Sequence, residues 1–261
     1  MASAKDLRVA PIRAADARRF ISRNHYSGKV VNNSQLHFGV FLDKRLQGAM
    51  QFGPSTDKRR TISLVSGTKW NGFLELNRMA FSQLLPRNSE SRAIGVALRI
   101  IRKHYPEIEW ILSYADATQC GDGAIYRASG FVLTKVEKNT TLYRMPNGEV
   151  CAQLTFADGH KGGGAAKRRH GYREGEGPSR FLRRVNAVPI PGFQLRYIYF
   201  LNPAARERLT VPILPFSRIA EMGATMYRGE RTRPKQATPE TIGEAAGQHR
   251  PGRSNSQPEA I

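Results

Sequence analysis

The chain has 261 residues, 40% of them hydrophobic, which is enough for one large domain or two small ones around a packed core. No apolar run is long enough to cross a bilayer, residues 1 to 25 lack a signal-peptide core, and Cys120 and Cys151 form neither a disulfide framework nor a zinc motif, so a cytoplasmic location is expected. Forty-one Lys and Arg against 21 Asp and Glu leave a formal charge of +20, an excess that favours a polyanionic partner over a surface charged only for solubility.

In chain order, Ala14, Ala15, Phe20 and Ile21 recur at helical spacing while Arg18, Arg19 and Arg23 fall on the other side. This predicts a short basic helix ending at "RNHYSG", with Gly28 turning the chain. "LHFGVFLDKRLQGAMQFG" predicts two apolar strands around a turn at Asp43 to Arg45, and "TISLV" and "FLELNRMAF" predict two more. "SESRAIGVALRIIRKHYP" predicts an amphipathic helix capped by Ser89 or Ser91, buried along Ile94, Ala97, Leu98 and Ile101, and ended by Pro106. A buried strand ("EIEWILSY"), a short helix ("CGDGAIYRAS") broken at Gly130, and the strands "FVLTKVE", "TTLYRM" and "EVCAQLTF" follow, the last entered from an Asn-Gly turn.

The composition then shifts. Residues 1 to 160 carry 23 basic and 13 acidic side chains, whereas residues 161 to 235 carry 16 and 5. "KGGGAAKRRHGYREGEGPSR" predicts a mobile basic loop, and "FQLRYIYFL" and "LTVPILPFSRI" are apolar enough to dock on the body. Residues 229 to 261 have the composition of a disordered tail. The expected organisation is a body over 1 to 160, a basic segment over 161 to 228, and this tail.

Single residues carry the candidate chemistry, each with an ordinary structural alternative. His25 could cap its helix and Asp116 could cap the turn after its strand. Tyr126 could be core. Arg78 could pair with Glu75, but strand alternation places the two on opposite faces. Cys120 lacks a nearby His and is expected to be inert. Lys167, Arg168, Arg169, Arg173, Arg180, Arg183 and Arg184, interleaved with Tyr172 and Phe181, suit a nucleic-acid surface.

"RAIGVA", with Arg92, Gly95 and Ala97, matches the R/Q-x-x-G-x-G/A pattern of Gcn5-related acyltransferases, where free N–H groups at a helix start hold a pyrophosphate. The resemblance implies an α/β fold with a mixed, mostly antiparallel sheet flanked by helices, here followed by a basic C-terminal extension. "HYSG", "VVNNSQLHFGVF", "MQFGPSTDKR", "ELNRMAF", "SYAD", "GAIYRASGF", "RYIYFL" and "LPFS", in this order, resemble the Mom family of phage DNA-modification proteins over most of residues 8 to 228. That resemblance implies an acyltransferase-like enzyme converting adenine in DNA to an N6-carbamoylmethyl derivative, which protects phage DNA from host restriction. It assigns catalytic roles to His25, Tyr26, Arg78, Asp116 and Tyr126, and a donor-binding role to Ser91 beside Arg92, Gly95 and Ala97. The loop after Asp116 departs from the family pattern, reading Gly121-Asp122 in place of Gly-His.

On this assignment Asp116 accepts an adenine N6–H bond, and Tyr26 offers a stacking face to a base outside the duplex. Arg78 binds a donor phosphate or carboxylate, and Tyr126 protonates the leaving group. Acetyl-CoA and a glycyl donor, carried as a thioester or on tRNA, are the candidate donors. Acetyl lacks the nitrogen of the product, and glycyl attaches through its carbonyl and needs rearrangement. Iron held by His, Tyr and Asp is a further option without a clear ligand motif. Two other readings use the same residues: an acetyl-CoA-dependent N-acetyltransferase acting on protein or RNA, and a non-catalytic nucleic-acid-binding protein on an acyltransferase scaffold.

Overall fold

The computed structural model describes residues 2–160 and 163–231. Alternating apolar residues in "LHFGVFL" and "RLQGAMQFG" form strands β2 (Leu36–Leu42) and β3 (Arg45–Gly53), joined by Asp43 and Lys44 at positive φ. Strand β1 (Arg8–Pro11) precedes helix α1 (Ala14–Asn24), and β4 (Phe73–Phe81) leads into helix α3 (Ser89–His104). Strand β5 (Trp110–Asp116), helix α4 (Ala124–Ala128) and strand β6 (Val132–Asn139) follow. These strands and a later one, β10 (Gly192–Phe200), form one seven-stranded sheet in the order β1-β2-β3-β4-β5-β10-β6. Only β4 and β5 pair in parallel; the other neighbours are antiparallel.

The expected mixed sheet flanked by helices is therefore present. The segment after residue 160 does more than dock, because β10 lies inside the sheet between β5 and β6. Its Leu195, Tyr197 and Ile198 are fully buried.

The sheet separates two cores. On one face, Ala93, Ile94, Ala97, Leu98 and Ile101 of α3 pack with Ile111 and Ala115 of β5. On the other, α1 buries Ala17 and Ile21 against Ala49 and Ala80, while Trp110 and Leu112 pack with Phe73, Leu64 and Ile198. A small sheet of β7 (Leu142–Arg144), β8 (Val150–Ala152) and β9 (Val188–Pro189) forms a separate lobe. Its core of Met145, Cys151, Phe156, Phe181 and Leu182 is covered by α5 (Gly164–His170) and α6 (Pro178–Arg184).

Four local expectations change. "TISLV" is a 3-10 turn over Ile62–Leu64 following the short helix α2 (Lys58–Thr61), because the Asp57 side chain caps Arg60 N–H and starts a helix there. Residues 163 to 180 carry α5 and the start of α6 where a mobile loop is expected; Phe181 and Leu182 anchor them. Neither Ser89 nor Ser91 caps α3: both hydroxyls donate backwards, to Pro86 O and Asn88 O, and Asn88 in the left-handed region occupies the cap position. The expected tail lies outside the described residues beyond 231; within them, Glu230–Arg231 pairs with Met226–Tyr227.

The β4–β5 pairing covers only Phe73–Glu75 against Trp110–Leu112. Beyond it the strands part. At the same place the β3–β4 register jumps, so that Gln51 faces Arg78 but Phe52 faces Leu76, leaving Asn77 as a bulge. Asn77 is pinned by Ser34 Oγ, which donates to its Oδ1, and by its own Nδ2 donating to Pro54 O. Gly53 makes this approach possible, since a Cβ there would lie 2.7 Å from Asn77 Oδ1 and from Ser34 Cα.

Because β10 is an inner strand, Ile198→Ala should destabilise the whole protein by about 2–5 kcal/mol. Urea unfolding followed by tryptophan fluorescence (Trp110 in the sheet) and by far-UV circular dichroism should show one coincident, earlier transition.

Candidate functional site

The bulge reverses the alternation argument for Arg78. With Asn77 looped out, Glu75 and Arg78 share a face of β4, and the Arg78 charge acts on the Glu75 carboxyl. Burial nevertheless holds Glu75 above the usual carboxylate range, against hydrogen bonds from Ser55 and Asn77.

Arg78 lines a cavity of about 810 Å³ together with Tyr26, Asp116 and Gln119. Its opposite wall comes from the small lobe, including Leu142, Glu149 and Val150. Asp116 ends β5 directly across from Gln194 of β10. Its Oδ1 accepts the Thr118 and Gln119 backbone N–H groups at 2.9 and 3.2 Å, so it caps the turn as the bland alternative holds. Its Oδ2 does something else: it accepts Tyr26 Oη–H and Gln119 Nε2–H, both at 3.0 Å, at the edge of the cavity.

Tyr26 follows the C-cap of α1. Its ring is half-exposed and tilted against His25 at 4.2 Å, while its hydroxyl end is desolvated and held by Asp116, which pushes the phenol pKa upwards. His25 also caps α1, its N–H bonding Ile21 O at 2.8 Å. The Ser27 N–H donates to His25 Nδ1, so Nε2 carries the proton in the neutral ring. Burial, and then the Arg78 charge, lower the His25 pKa to about 4, against a smaller opposing effect of Asp116.

Tyr126 is on the other side of the sheet. It is buried with Phe131 and Tyr197, and its hydroxyl reaches Tyr114 O at 3.5 Å, beneath the stretch where β4 and β5 part. Burial raises its pKa. Helix α3 begins at the parting end of β4. Gly95 is open on that helix, a Cβ there meeting only the Arg99 guanidinium at 3.7 Å, and Arg92 is exposed. Ala97 instead packs in the core, and the Ser91 hydroxyl is committed to Asn88 O, so these two face no donor directly.

The basic residues divide. Arg169 makes a two-pronged bond to Glu149, and Arg184 does the same with Glu176. Lys167 donates to Ala157 O and lies 5.0 Å over the Tyr172 ring. Arg168, Arg173, Arg180 and Arg183 are exposed without a side-chain ion pair among the described residues. Asp122, in the position of the departing loop, is structural: it pairs with Arg127 at 3.1 Å, and its carbonyl accepts Tyr197 Oη–H.

Tyr26 joins Asp116 through one hydrogen bond and His25 through a ring contact at 4.2 Å. Among the described residues, the His, Cys, Asp and Glu side chains close enough together to share a metal ion are Glu149, Cys151 and His170, with ligand atoms within 4.8 Å of one another. There Arg169 and His170 already satisfy the carboxylate and lower its pKa to about 2. The sequence reading missed Gln119, although a residue three past Asp116 is within reach of a turn-capping carboxylate. It also missed Gln194, which no local signal could find because β10 pairs with β5 across 78 positions.

Fold and site together define a mixed α/β protein with a polar cleft where two parallel strands part, closed from above by a small basic lobe. The chain belongs to the Mom protein family, whose model matches residues 6–218. It is 38% identical over 210 residues to the methylcarbamoylase Mom of Escherichia phage Mu, covering 80% of this chain and 81% of that one. Among solved structures it aligns with the ribosomal-protein-S18-alanine N-acetyltransferase of Escherichia coli at TM-score 0.40 and 9% identity, over 75% of this chain and 94% of that one. It also aligns with a spermidine/spermine N-acetyltransferase of Vibrio cholerae at TM-score 0.41 and 11% identity, over 79% and 99% of the two chains.

Burial sets the direction of one titration. Above pH 6.5, the ordinary His value, His25 is neutral in both folded and unfolded chains. As pH falls from there towards about 4, the unfolded chain takes up a proton that the folded one refuses, so stability declines across that window. Ring-proton NMR should place the His25 midpoint near 4, and His25→Gln should flatten this part of the stability–pH curve.

Proposed function

We propose that the protein is a transferase that places a carbamoylmethyl group on adenine N6 in DNA, shielding phage DNA from host restriction. One observation carries the reading beyond family membership. A carboxylate oxygen, Asp116 Oδ2, faces a cavity of nucleotide size beside a half-exposed aromatic ring.

Adenine N6 is a weak nucleophile because its lone pair is delocalised into the ring. Asp116 Oδ2 accepts an N6–H bond, raising electron density at nitrogen and fixing its direction of attack. N6 lies inside the duplex, so the base enters flipped or single-stranded, and the Tyr26 ring offsets part of the few kcal/mol of unstacking. The acyl donor approaches from the α3 face along Arg92 and Gly95. The two substrates meet where β4 and β5 are unpaired, and Tyr126, beneath that stretch, supplies a proton to the leaving group. A glycyl donor, on a thioester or tRNA, has the atoms of the product. Attack of N6 on its carbonyl expels the thiol or tRNA hydroxyl and gives the N6-glycyl isomer, which rearranges to carbamoylmethyl, whereas an acetyl thioester would give only N6-acetyladenine.

The open helical Gly95 favours a second reading, an acetyl-CoA-dependent N-acetyltransferase of protein or RNA. It predicts acetylated protein or RNA beside untouched DNA. A non-catalytic DNA-binding protein predicts unmodified DNA and no functional effect of Asp116→Ala.

Nucleoside mass spectrometry of DNA from cells making the protein should show modified deoxyadenosine. Asp116→Ala should lower the yield by roughly 10²–10⁴-fold with DNA affinity retained. Unmodified deoxyadenosine throughout, from soluble wild-type protein, defeats the proposal.

The exposed arginines of the lobe are assigned to DNA phosphate. Replacing Arg168, Arg180 and Arg183 by Ala should flatten the dependence of log affinity on log salt by ~0.9 per lost duplex contact, with the product unchanged. Arg169→Ala and Arg184→Ala should lower the melting temperature instead, because those side chains hold Glu149 and Glu176 within the lobe.

A further inference from the structure

Among the described residues, three buried side-chain atoms lack a hydrogen-bond partner: His37 Nε2, Gln51 Oε1 and Arg78 Nε. The three residues form a single row across the sheet, His37 opposite Gln51 and Gln51 opposite Arg78. Directly opposed residues share a face with Cβ atoms about 4.5–5.5 Å apart. Leaving a buried donor or acceptor unmade costs about 1–3 kcal/mol each, so a row of such atoms that ends at Arg78, on the cavity wall, calls for a reason.

Both members of the Gln51–Arg78 pair are fixed by their other ends. Gln51 is fully buried in β3, and its Nε2 donates to Val31 O at 3.0 Å, which settles the direction of its amide and leaves Oε1 free to accept. Arg78 Nη1 donates to Asn77 O at 3.1 Å, anchored by the same bulge that turned Arg78 towards the cavity, which leaves Nε–H free to donate. One free donor and one free acceptor therefore stand side by side, one of them on a residue that lines the cavity.

We propose that Arg78 and Gln51 together recognise the primary carboxamide of the finished N6-carbamoylmethyl group, Arg78 Nε–H donating to its carbonyl oxygen and its NH₂ donating to Gln51 Oε1. The assignment rests on the carbamoylmethyl reading above and deepens it. A carboxamide offers one acceptor and one donor on adjacent atoms, the complement of this pair. A carboxylate offers two acceptors and would set its charge against the lone pair of Gln51 Oε1. A hydrocarbon would leave both protein groups unpaired. The pair thus selects carbamoylmethyl over carboxymethyl or alkyl, the kind of discrimination that hydrogen-bonding sites achieve and apolar pockets do not. Arg78 then serves the amide end of the product, in place of the phosphate or carboxylate its charge alone would suit.

The test uses the purified full chain and two probes, N6-carbamoylmethyl-deoxyadenosine and N6-carboxymethyl-deoxyadenosine, titrated by calorimetry beside deoxyadenosine itself. Wild-type protein should bind the carboxamide about tenfold more tightly than the carboxylate. Gln51→Met keeps the volume and removes the acceptor, together with the Nε2–H bond to Val31 O; it should lower the melting temperature, bring the ratio below about twofold and leave deoxyadenosine affinity unchanged. His37→Leu, one strand further away, should leave the ratio intact. Equal binding of the two probes by wild type overturns the inference. So does a ratio that survives Gln51→Met, or one that His37→Leu removes, since the row would then be an internal network. Loss of deoxyadenosine affinity in Gln51→Met also overturns it, placing Gln51 on the base. Mass spectrometry of wild-type DNA tests the parent reading separately: unmodified DNA with the probe preference intact defeats the DNA reaction and leaves the carboxamide site standing.

Discussion

The separation of β4 from β5 is the constraint on which the rest of the structure depends. Parallel pairing holds for three residues and stops where Glu75, a part-buried carboxyl, meets the bulge at Asn77. A bulge leaves ladder groups unpaired, and they must find other partners. Here Ser34 and Pro54 hold the bulge side chain, Arg78 bonds its carbonyl, and Ser113 spans to Leu76 O at 3.5 Å. The gap is therefore built and supported. It also separates the chemistry into two sides, with Asp116 and Arg78 above the sheet and Tyr126 below.

Charge plays a narrower part than the composition implies. Of the lobe's basic residues, Arg169, Arg184 and Lys167 are used internally, tying two carboxylates, a carbonyl and a ring into a core of only a few buried side chains. Small cores need such ties because their apolar burial is limited. The remaining arginines are exposed and available to phosphate, whose attraction is long-ranged and tolerant of position. A single cluster in the sequence thus divides into side chains with internal partners and side chains without, and only the fold tells them apart.

Sequence and structure agree where the signal is local. The hairpin over 36 to 53, the strand 73 to 81 and the stripe Ile94, Ala97, Leu98, Ile101 follow from periods of two and of 3.6 and need nothing from outside their windows. The site residues His25, Tyr26, Arg78 and Asp116, named through the family likeness, do meet. What could not be read depends on distant pairing. The place of β10 between β5 and β6 is invisible in "FQLRYIYFL". The faces of Glu75 and Arg78 were misjudged because one bulged residue shifts every later side chain, and nothing in "ELNR" announces a bulge. Gln51 carries no signal of its own in "GAMQFG", where it stands among apolar neighbours, and its proposed role rests on an unpaired oxygen that only the pairing with Arg78 brings into view.

Asp116 shows how the structural and chemical readings of one residue coexist. Its Oδ1 is spent on the two backbone N–H groups of the following turn, which locks the carboxylate plane at the end of β5. That locking is what aims Oδ2 into the cavity, where a phenol and an amide N–H now occupy it. In the proposed reaction an adenine N6–H replaces the Tyr26 hydroxyl, exchanging one neutral donor for another at small net cost. The released ring is already half-exposed beside the place the base must take. Capping the turn and activating the amine are then a single design. The oxygen that holds the turn gives the other oxygen its direction, and direction is what a weak nucleophile requires.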